Sequence, residues 1–120
     1  MQIKHLTMYE LNAGLEQIRQ SPADAGVLKL ISRRPAIGER DLLEEGQLDP
    51  VTGLVGDNWM TRGALATPKR PANPETQLTL MNARVADLVA GRQARWPLAG
   101  DQLFVDLDLS LANLPAGTRL

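Results

Sequence analysis

Cysteine is absent from this sequence of 120 residues, histidine occurs once, and only four residues are aromatic. Without a thiol, the chain forms no disulfide and offers no thiolate as a metal ligand or nucleophile. Zinc normally takes three or four nitrogen or sulfur ligands, so the single His5 predicts no zinc site. His5 is either an isolated base or ligand or, as its place beside a predicted helix favours, a surface residue. One histidine also leaves no set of nucleophile, base and orienting group.

An excess of one charge and a long apolar run are missing as well. The sequence has 13 lysines and arginines against 14 aspartates and glutamates, and this balance gives no general attraction to nucleic acid. No apolar stretch is long enough to span a bilayer, and no basic start followed by apolar residues indicates a signal peptide. We therefore predict a cytoplasmic protein of one domain, with no nucleic-acid partner and no membrane association.

A first helix is predicted from Thr7 to Gln20. Thr7 and Glu10 match the capping-box pattern, in which each side chain binds a free N–H group at the helix start. The apolar residues that follow at helical spacing are Met8, Leu11, Leu15 and Ile18. The helix is expected to end before Ser21-Pro22, because a proline disfavours helical geometry in the residue before it.

Several short strands and turn-rich connections are predicted after this helix. Val27–Ser32 and Leu78–Met81 contain residues that favour strands, and Glu39–Glu44 is a weaker candidate. Gly46–Gly56 holds glycines and an Asp-Pro pair, which predicts a turn-rich connection. Thr67–Pro74 holds three prolines and is predicted to be a surface loop.

A second helix is predicted to begin after Asn82, whose side chain can cap it, and to end at Gly91. Its apolar face is expected to comprise Val85, Leu88 and Val89. Trp96 lies in the next connection and is expected to pack against this helix. With two helices among short strands, the predicted fold class is mainly β with two helices, an α+β fold.

The clearest strand pattern covers Gln102–Leu111. Apolar and other residues alternate strictly there, so one face is expected to be buried and the other wet. The predicted buried residues are Leu103, Val105, Leu107 and Leu109, and the predicted wet residues are Phe104, Asp106, Asp108 and Ser110. Asp106, Asp108 and the nearby Asp101 could share a hard cation, although alternation alone already favours a solvated polar face.

Two further features are compatible with an anionic ligand. Gly53–Asp57 could let the backbone approach such a ligand closely, although a plain turn is the simpler explanation of the glycines. Basic residues lie in several loops and could collect around a phosphate, although scattered surface charge is the simpler explanation. These basic residues are Arg33, Arg34, Arg62, Lys69 and Arg70.

Four stretches, in this order, resemble the MOSC family, which is named after the C-terminal domain of molybdenum-cofactor sulfurase. Gly53–Asp57 resembles the family's Gly-Leu-x-Gly-Asp turn, and Leu78–Met81 with the helix after it resembles its strand-then-helix segment. Asp101–Leu109 is similar to the strand that leads into an Asn-Leu pair, here Asn113-Leu114. The likeness covers residues 27–120 and points to a bacterial branch in which an N-terminal helical extension, here residues 1–26, also occurs.

The resemblance implies a barrel of the pyruvate-kinase β-barrel type and a role as sulfur carrier or in binding the molybdenum cofactor, with a pyridoxal phosphate linkage as a further cofactor. It implies a binding site in which glycines admit the ligand, an arginine holds an anion and an asparagine orients it. The site residues are then Gly53, Gly56, Asp57, Arg62 and Asn113, with no catalytic residue and no metal ligand.

This sequence also departs from the family. Ala112 stands where many members carry glutamate, the His-Gly pair of other branches is missing around Thr61-Arg62-Gly63, and the sulfur-accepting cysteine is absent. We therefore expect the N-terminal part of a longer family member, without catalysis or a cofactor in the isolated chain. The alternatives are a binding or interaction module that keeps the scaffold without the thiol, and a small α+β domain that only mimics the motifs. An incomplete barrel also predicts a homo-oligomer through the C-terminal edge.

Overall fold

The structure is a computed structural model that describes residues 5–60 and 77–119. Within them the chain forms a small α+β fold, as predicted, but with three helices, one of them a 3₁₀ helix, rather than the two predicted. The helices are α1 (Met8–Arg19), α2 (Ala83–Ala90) and a 3₁₀ helix (Gln93–Ala99). The strands are β1 (Val27–Arg33), β2 (Asp41–Leu43), β3 (Leu48–Asp49), β4 (Gly53–Leu54), β5 (Leu80–Asn82) and β6 (Leu103–Asp106). Arg62 and the predicted loop Thr67–Pro74 lie outside the described residues.

Four strands form one mixed sheet in the order β2-β1-β6-β5, and β3 and β4 form a separate hairpin. β1 is antiparallel to both β2 and β6, whereas β5 and β6 are parallel. A parallel pair needs a crossover, and α2 with the 3₁₀ helix supplies it. The sheet formed by the described strands is open, with β2 and β5 at its edges.

The position of β6 corrects the prediction of an unpaired C-terminal edge. β6 lies inside the sheet, because β1 pairs with one side of it and β5 with the other. The last described strand is therefore one of the two inner strands of the sheet and not an edge strand. A homo-oligomer through a C-terminal strand edge loses this structural basis.

The predicted faces of the last strand are also wrong in part. The strand ends at Asp106 rather than at Leu111, and Phe104, placed on the wet face, is completely buried. The reason is the crossover, because α2 and Trp96 cover the face of the sheet on which Phe104 lies. The ring centroids of Trp96 and Phe104 are 5.7 Å apart. The opposite face is less completely covered, so Leu103 and Val105 are half-buried. Leu111, beyond the strand, is 81% exposed.

The second helix is capped by Asn82 and ends at Gly91 as predicted, but its buried face differs. Ala83 and Ala86 are buried against Trp96 and Phe104, whereas Val89 is 66% exposed. Two small side chains let the helix approach the aromatic pair closely, which a row of valine and leucine would prevent. The predicted packing of Trp96 against this helix is confirmed.

The first helix has the predicted capping box between Thr7 and Glu10. None of its residues is fully buried, and it contacts α2 at Gly14, where an added Cβ would lie 2.6 Å from Leu88 Cδ1. The missing side chain of Gly14 therefore allows the two helices to touch. No helix in the described ranges is long and apolar enough to cross a membrane.

Candidate functional site

Asp57, at the end of the turn that resembles the MOSC motif, holds three parts of the chain together. Its Oδ1 accepts a hydrogen bond from the Arg34 backbone N–H at 2.7 Å. Its Oδ2 accepts from the Trp59 backbone N–H and from Gln102 Nε2, both at 3.0 Å. One carboxylate thus joins the end of β1, the segment after the turn and the residues that lead into β6.

Gln102 extends these contacts to β5. Its side chain is almost fully buried, and its Oε1 accepts a hydrogen bond from the Thr79 backbone N–H at 2.9 Å. The Thr79 hydroxyl in turn accepts from the Gln102 backbone N–H at 3.2 Å. We call Arg34, Asp57, Trp59, Thr79 and Gln102 the Asp57 network.

The two glycines of the turn make room for the chain itself. Gly53 and Gly56 have φ angles of +78° and +89°, which favour glycine. A Cβ on Gly53 would lie 2.8 Å from Gln77 Cγ, and one on Gly56 would lie 2.5 Å from Arg33 Nη1. The space in which the sequence predicts a ligand is therefore occupied by two protein side chains.

The Arg33 guanidinium is itself anchored beside Gly56. Its Nε lies 3.2 Å from Asp41 Oδ2, and its Nη1 donates to the Val55 carbonyl at 3.2 Å. The positive charge that fills the space at Gly56 is therefore paired with a carboxylate of β2.

The backbone N–H groups of the turn are also largely used. Val55, Asp57 and Asn58 donate to the carbonyls of Gln47, Leu54 and Arg34 at 2.7–3.0 Å. A phosphate or another anionic group needs free N–H or cationic donors, and Asp57 adds a negative charge. The described residues of this turn do not fit the molybdenum cofactor or pyridoxal phosphate.

Asp101 lies next to Gln102 and is partly buried. Burial raises the pKa of its carboxyl above the ordinary value of 3.8, while a hydrogen bond from Thr79 and the charge of Arg34 act in the opposite direction. Burial disfavours the charged form because a carboxylate loses hydration there. Asp101, which lies next to the Asp57 network, therefore holds its proton more tightly than an ordinary aspartate does.

The remaining predicted site residues do not meet at this turn. Asn113 Nδ2 donates to the carbonyls of Ala23 and Asp108 at 2.9 and 2.8 Å. Asp108 follows β6, whereas Gln102, the partner of Asp57, precedes it, so Asn113 and Asp57 lie at opposite ends of that strand. Arg62 lies outside the described residues.

The three aspartates that the sequence suggests as ligands of a shared cation have separate partners in the structure. Arg84 Nε binds Asp106 Oδ1 at 2.8 Å, which makes Asp106 part of an ion pair rather than of a solvated face. Asp108 Oδ1 accepts from the Ser110 backbone N–H, and this bond lowers the pKa of Asp108. Across the described ranges, no three His, Cys, Asp or Glu residues are placed to hold a metal ion.

Gln102 and Thr79 are the residues that sequence reasoning missed. Both lie within stretches that resemble the MOSC family, but neither is distinctive there, because a single glutamine or threonine carries no signal of its buried partners. What joins them is the parallel pairing of β5 and β6, which brings residue 79 beside residue 102.

Models of protein families, curated proteins and solved structures give no match to this chain. The likeness to the MOSC family therefore rests on the four stretches of sequence alone.

Proposed function

We propose that this chain is a non-catalytic module, the N-terminal part of a MOSC-like domain that keeps the scaffold and lacks the sulfur-accepting thiol. The observation that carries the proposal is the Asp57 carboxylate, which accepts three hydrogen bonds from the protein itself. In this role the motif-like turn closes the fold instead of cradling a cofactor.

The other MOSC-like stretches support the same role. The strand-then-helix segment corresponds to β5 and α2, and the predicted last strand corresponds to β6. Asn113 ties the chain after β6 to Ala23, which lies after α1. Each stretch thus contributes to packing between elements, as expected of a scaffold.

We propose further that the open sheet is part of a barrel of the pyruvate-kinase β-barrel type. In such a barrel, strands from a longer chain would pair with the edges at β2 and β5. Support comes from the mixed sheet, whose two outer strands each have a free side among the described residues.

A sulfur-carrying longer protein is the second candidate, and the order of the four MOSC-like stretches favours it. Sulfur transfer from a persulfide requires a thiolate that attacks the outer sulfur and releases the donor thiolate. This sequence contains no cysteine to make that attack. In this second candidate the accepting thiol belongs to a segment beyond residue 120, and the residues described here orient the scaffold around it.

The role of Asp57 is tested by comparing Asp57→Ala with Asp57→Asn in urea unfolding. We expect Asp57→Ala to lower the free energy of unfolding by about 2–3 kcal/mol, because buried donors lose a charged acceptor. Asp57→Asn keeps one acceptor oxygen, so we expect a smaller decrease in the free energy of unfolding. Glu45→Gln is the matched control, since Glu45 is an exposed carboxylate outside the network.

Calorimetric titration of the wild-type chain with pyridoxal 5′-phosphate and with molybdate tests the competing role. We expect no saturable heat with either anion, and none with neutral pyridoxal. Saturable binding of either anion that becomes stronger in Asp57→Asn, together with unchanged stability of that variant, would contradict the proposed scaffold role.

A further inference from the structure

A groove of about 940 Å³ lies between α1 and α2, away from the Asp57 network. Ile18 of α1 and Leu88 of α2 supply apolar surface, and Lys29 of β1 and Asp87 of α2 supply charges. Trp96 of the 3₁₀ helix also lines it. The size is within the range of small-molecule sites in proteins.

The indole of Trp96 carries an unusual feature. The residue is 6% exposed, and its Nε1–H is buried without a hydrogen-bond acceptor among the described residues. A buried indole N–H normally finds a partner, because a donor that is left unpaired loses its hydrogen bond to water without a replacement. An oxygen that reached Nε1 would therefore recover a hydrogen bond that the described part of the fold does not supply.

The charges of the groove differ in how they are used. Arg84 is neutralised by Asp106 at 2.8 Å and also donates to the Gln17 carbonyl. Lys29 and Asp87 line the same groove, and within the described ranges neither side chain has an ion-pair partner. The groove thus offers one unpaired cation and one unpaired anion to a ligand.

We propose that this groove binds a zwitterionic ligand with an aliphatic body, of the size of an amino acid or a dipeptide. Its carboxylate accepts hydrogen bonds from Trp96 Nε1–H and the Lys29 ammonium, and its own ammonium pairs with Asp87. The aliphatic body packs against Ile18 and Leu88.

Because Nε1 is buried, a ligand oxygen reaches it only after a side chain that lines the groove moves. Lys29 and Gln93 are both exposed there, and Gln93 Nε2 is held by one hydrogen bond to the Lys29 carbonyl at 3.1 Å. Breaking a single exposed hydrogen bond costs little, because water replaces the lost partner, and ligand contacts can offset that cost.

The test follows the two indole N–H signals in ¹⁵N-correlated NMR spectra, since the sequence has two tryptophans. The signals are assigned with Trp96→Phe or, by elimination, with Trp59→Phe. The probes are L-leucine and L-leucyl-L-leucine, compared with 4-methylpentanoate, which lacks the ammonium, and 3-methylbutylamine, which lacks the carboxylate. We expect the zwitterions to move the Trp96 signal downfield with saturation and to leave the Trp59 signal in place.

Two exposed variants test the charges. Lys29→Gln and Asp87→Asn are each expected to weaken binding of the better zwitterion about tenfold, whereas Glu45→Gln leaves it unchanged. A Trp96 signal that stays in place up to about 10 mM of every probe overturns the proposal, since binding would then be weaker than millimolar. Equal shifts with all four probes, or equal binding by both charge variants and wild type, overturn it as well.

Discussion

Gln102 binds residues from three parts of the chain, although no sequence pattern indicates these partners. Its carbonyl accepts a hydrogen bond from the Ser32 backbone N–H of β1 at 2.8 Å, and its side chain binds both Thr79 and Asp57. A buried amide is costly without hydrogen bonds, and here Nε2 donates to Asp57 while Oε1 accepts from Thr79. Gln102 thus fixes β1 relative to the residue before β5 and the residue that ends the Gly53–Asp57 turn.

Asp101, beside Gln102, predicts a dependence of stability on pH. Burial raises the pKa of Asp101 above 3.8, so the folded chain binds this proton more tightly than the unfolded chain does. The contribution of Asp101 to stability is therefore most favourable below 3.8 and is lost as the pH rises through the folded-state pKa. We expect neutral Asp101→Asn to be more stable than the wild type at pH 7, with the difference vanishing below about pH 4.

Asp108→Asn is the control with the opposite sign. The Ser110 N–H lowers the pKa of Asp108, so its charged form stabilises the fold above 3.8 and that contribution is lost as the pH falls through the folded-state pKa. Asp108→Asn is thus expected to be less stable than the wild type at pH 7. Urea unfolding at intervals from about pH 2 to pH 8 measures both, and an Asp101→Asn variant less stable than the wild type at pH 7 would contradict the burial argument.

At the scale of elements, Asn82 connects three of them at one position. Its Oδ1 accepts from the backbone N–H groups of Arg84 and Val85 at 2.8 and 3.0 Å, which caps α2. Its Nδ2 donates to Ser21 Oγ and to the Leu107 carbonyl, both at 2.9 Å. The cap of one helix therefore also fixes the end of α1 and the chain after β6.

Asn82→Ala is expected to lower the free energy of unfolding by about 2–3 kcal/mol, since it removes the cap and leaves buried partners without hydrogen bonds. Asn82→Asp keeps the cap but loses the amide donor, and an intermediate loss is expected. Thr7→Ala removes the N-cap of the exposed helix α1 and should cost about 1 kcal/mol. Urea unfolding compares the three, and equal losses for Asn82→Ala and Thr7→Ala would show that the cross-element bonds contribute nothing.

At the scale of the whole molecule, the sheet formed by the described strands is open at β2 and β5, and each of these edges has only three residues. Free strand edges pair readily with other chains, and short edges limit that pairing. Leu42 in β2 is 53% exposed, which adds apolar surface to its edge. Self-association of this chain is thus expected at an edge of the sheet, not at the internal β6.

We expect light scattering to show a monomer–dimer equilibrium that depends on concentration. Leu42→Lys at the β2 edge should shift it toward the monomer, because like charges would face each other across the paired edges. Leu111→Lys, at an 81% exposed position outside any strand, should leave it unchanged. A monomer at every concentration, or a dimer that only Leu111→Lys disrupts, would be inconsistent with pairing at β2.

Local chemistry determined much of the secondary structure from the sequence alone. The Thr7–Glu10 capping box and the Ser21-Pro22 stop gave the bounds of α1, and Asn82 and Gly91 gave those of α2. These signals are readable because a cap or a proline acts on backbone groups within four residues of itself. The strands at Val27 and within Glu39–Glu44 follow from local propensity in the same way.

Only the tertiary structure decided the buried faces and the use of the motif-like turn. Alternation along Gln102–Leu111 separates two faces, but which face is buried depends on where α2 crosses the sheet, and that crossing buries Phe104. The glycines at 53 and 56 indicate that another group packs closely against the backbone, but they do not show which group it is. Gln77 packs against Gly53, and Arg33, from the distant strand β1, packs against Gly56. Burial and hydrogen-bond pairing depend on residues far apart in the chain, and a pattern within one segment carries no information about its neighbours in space.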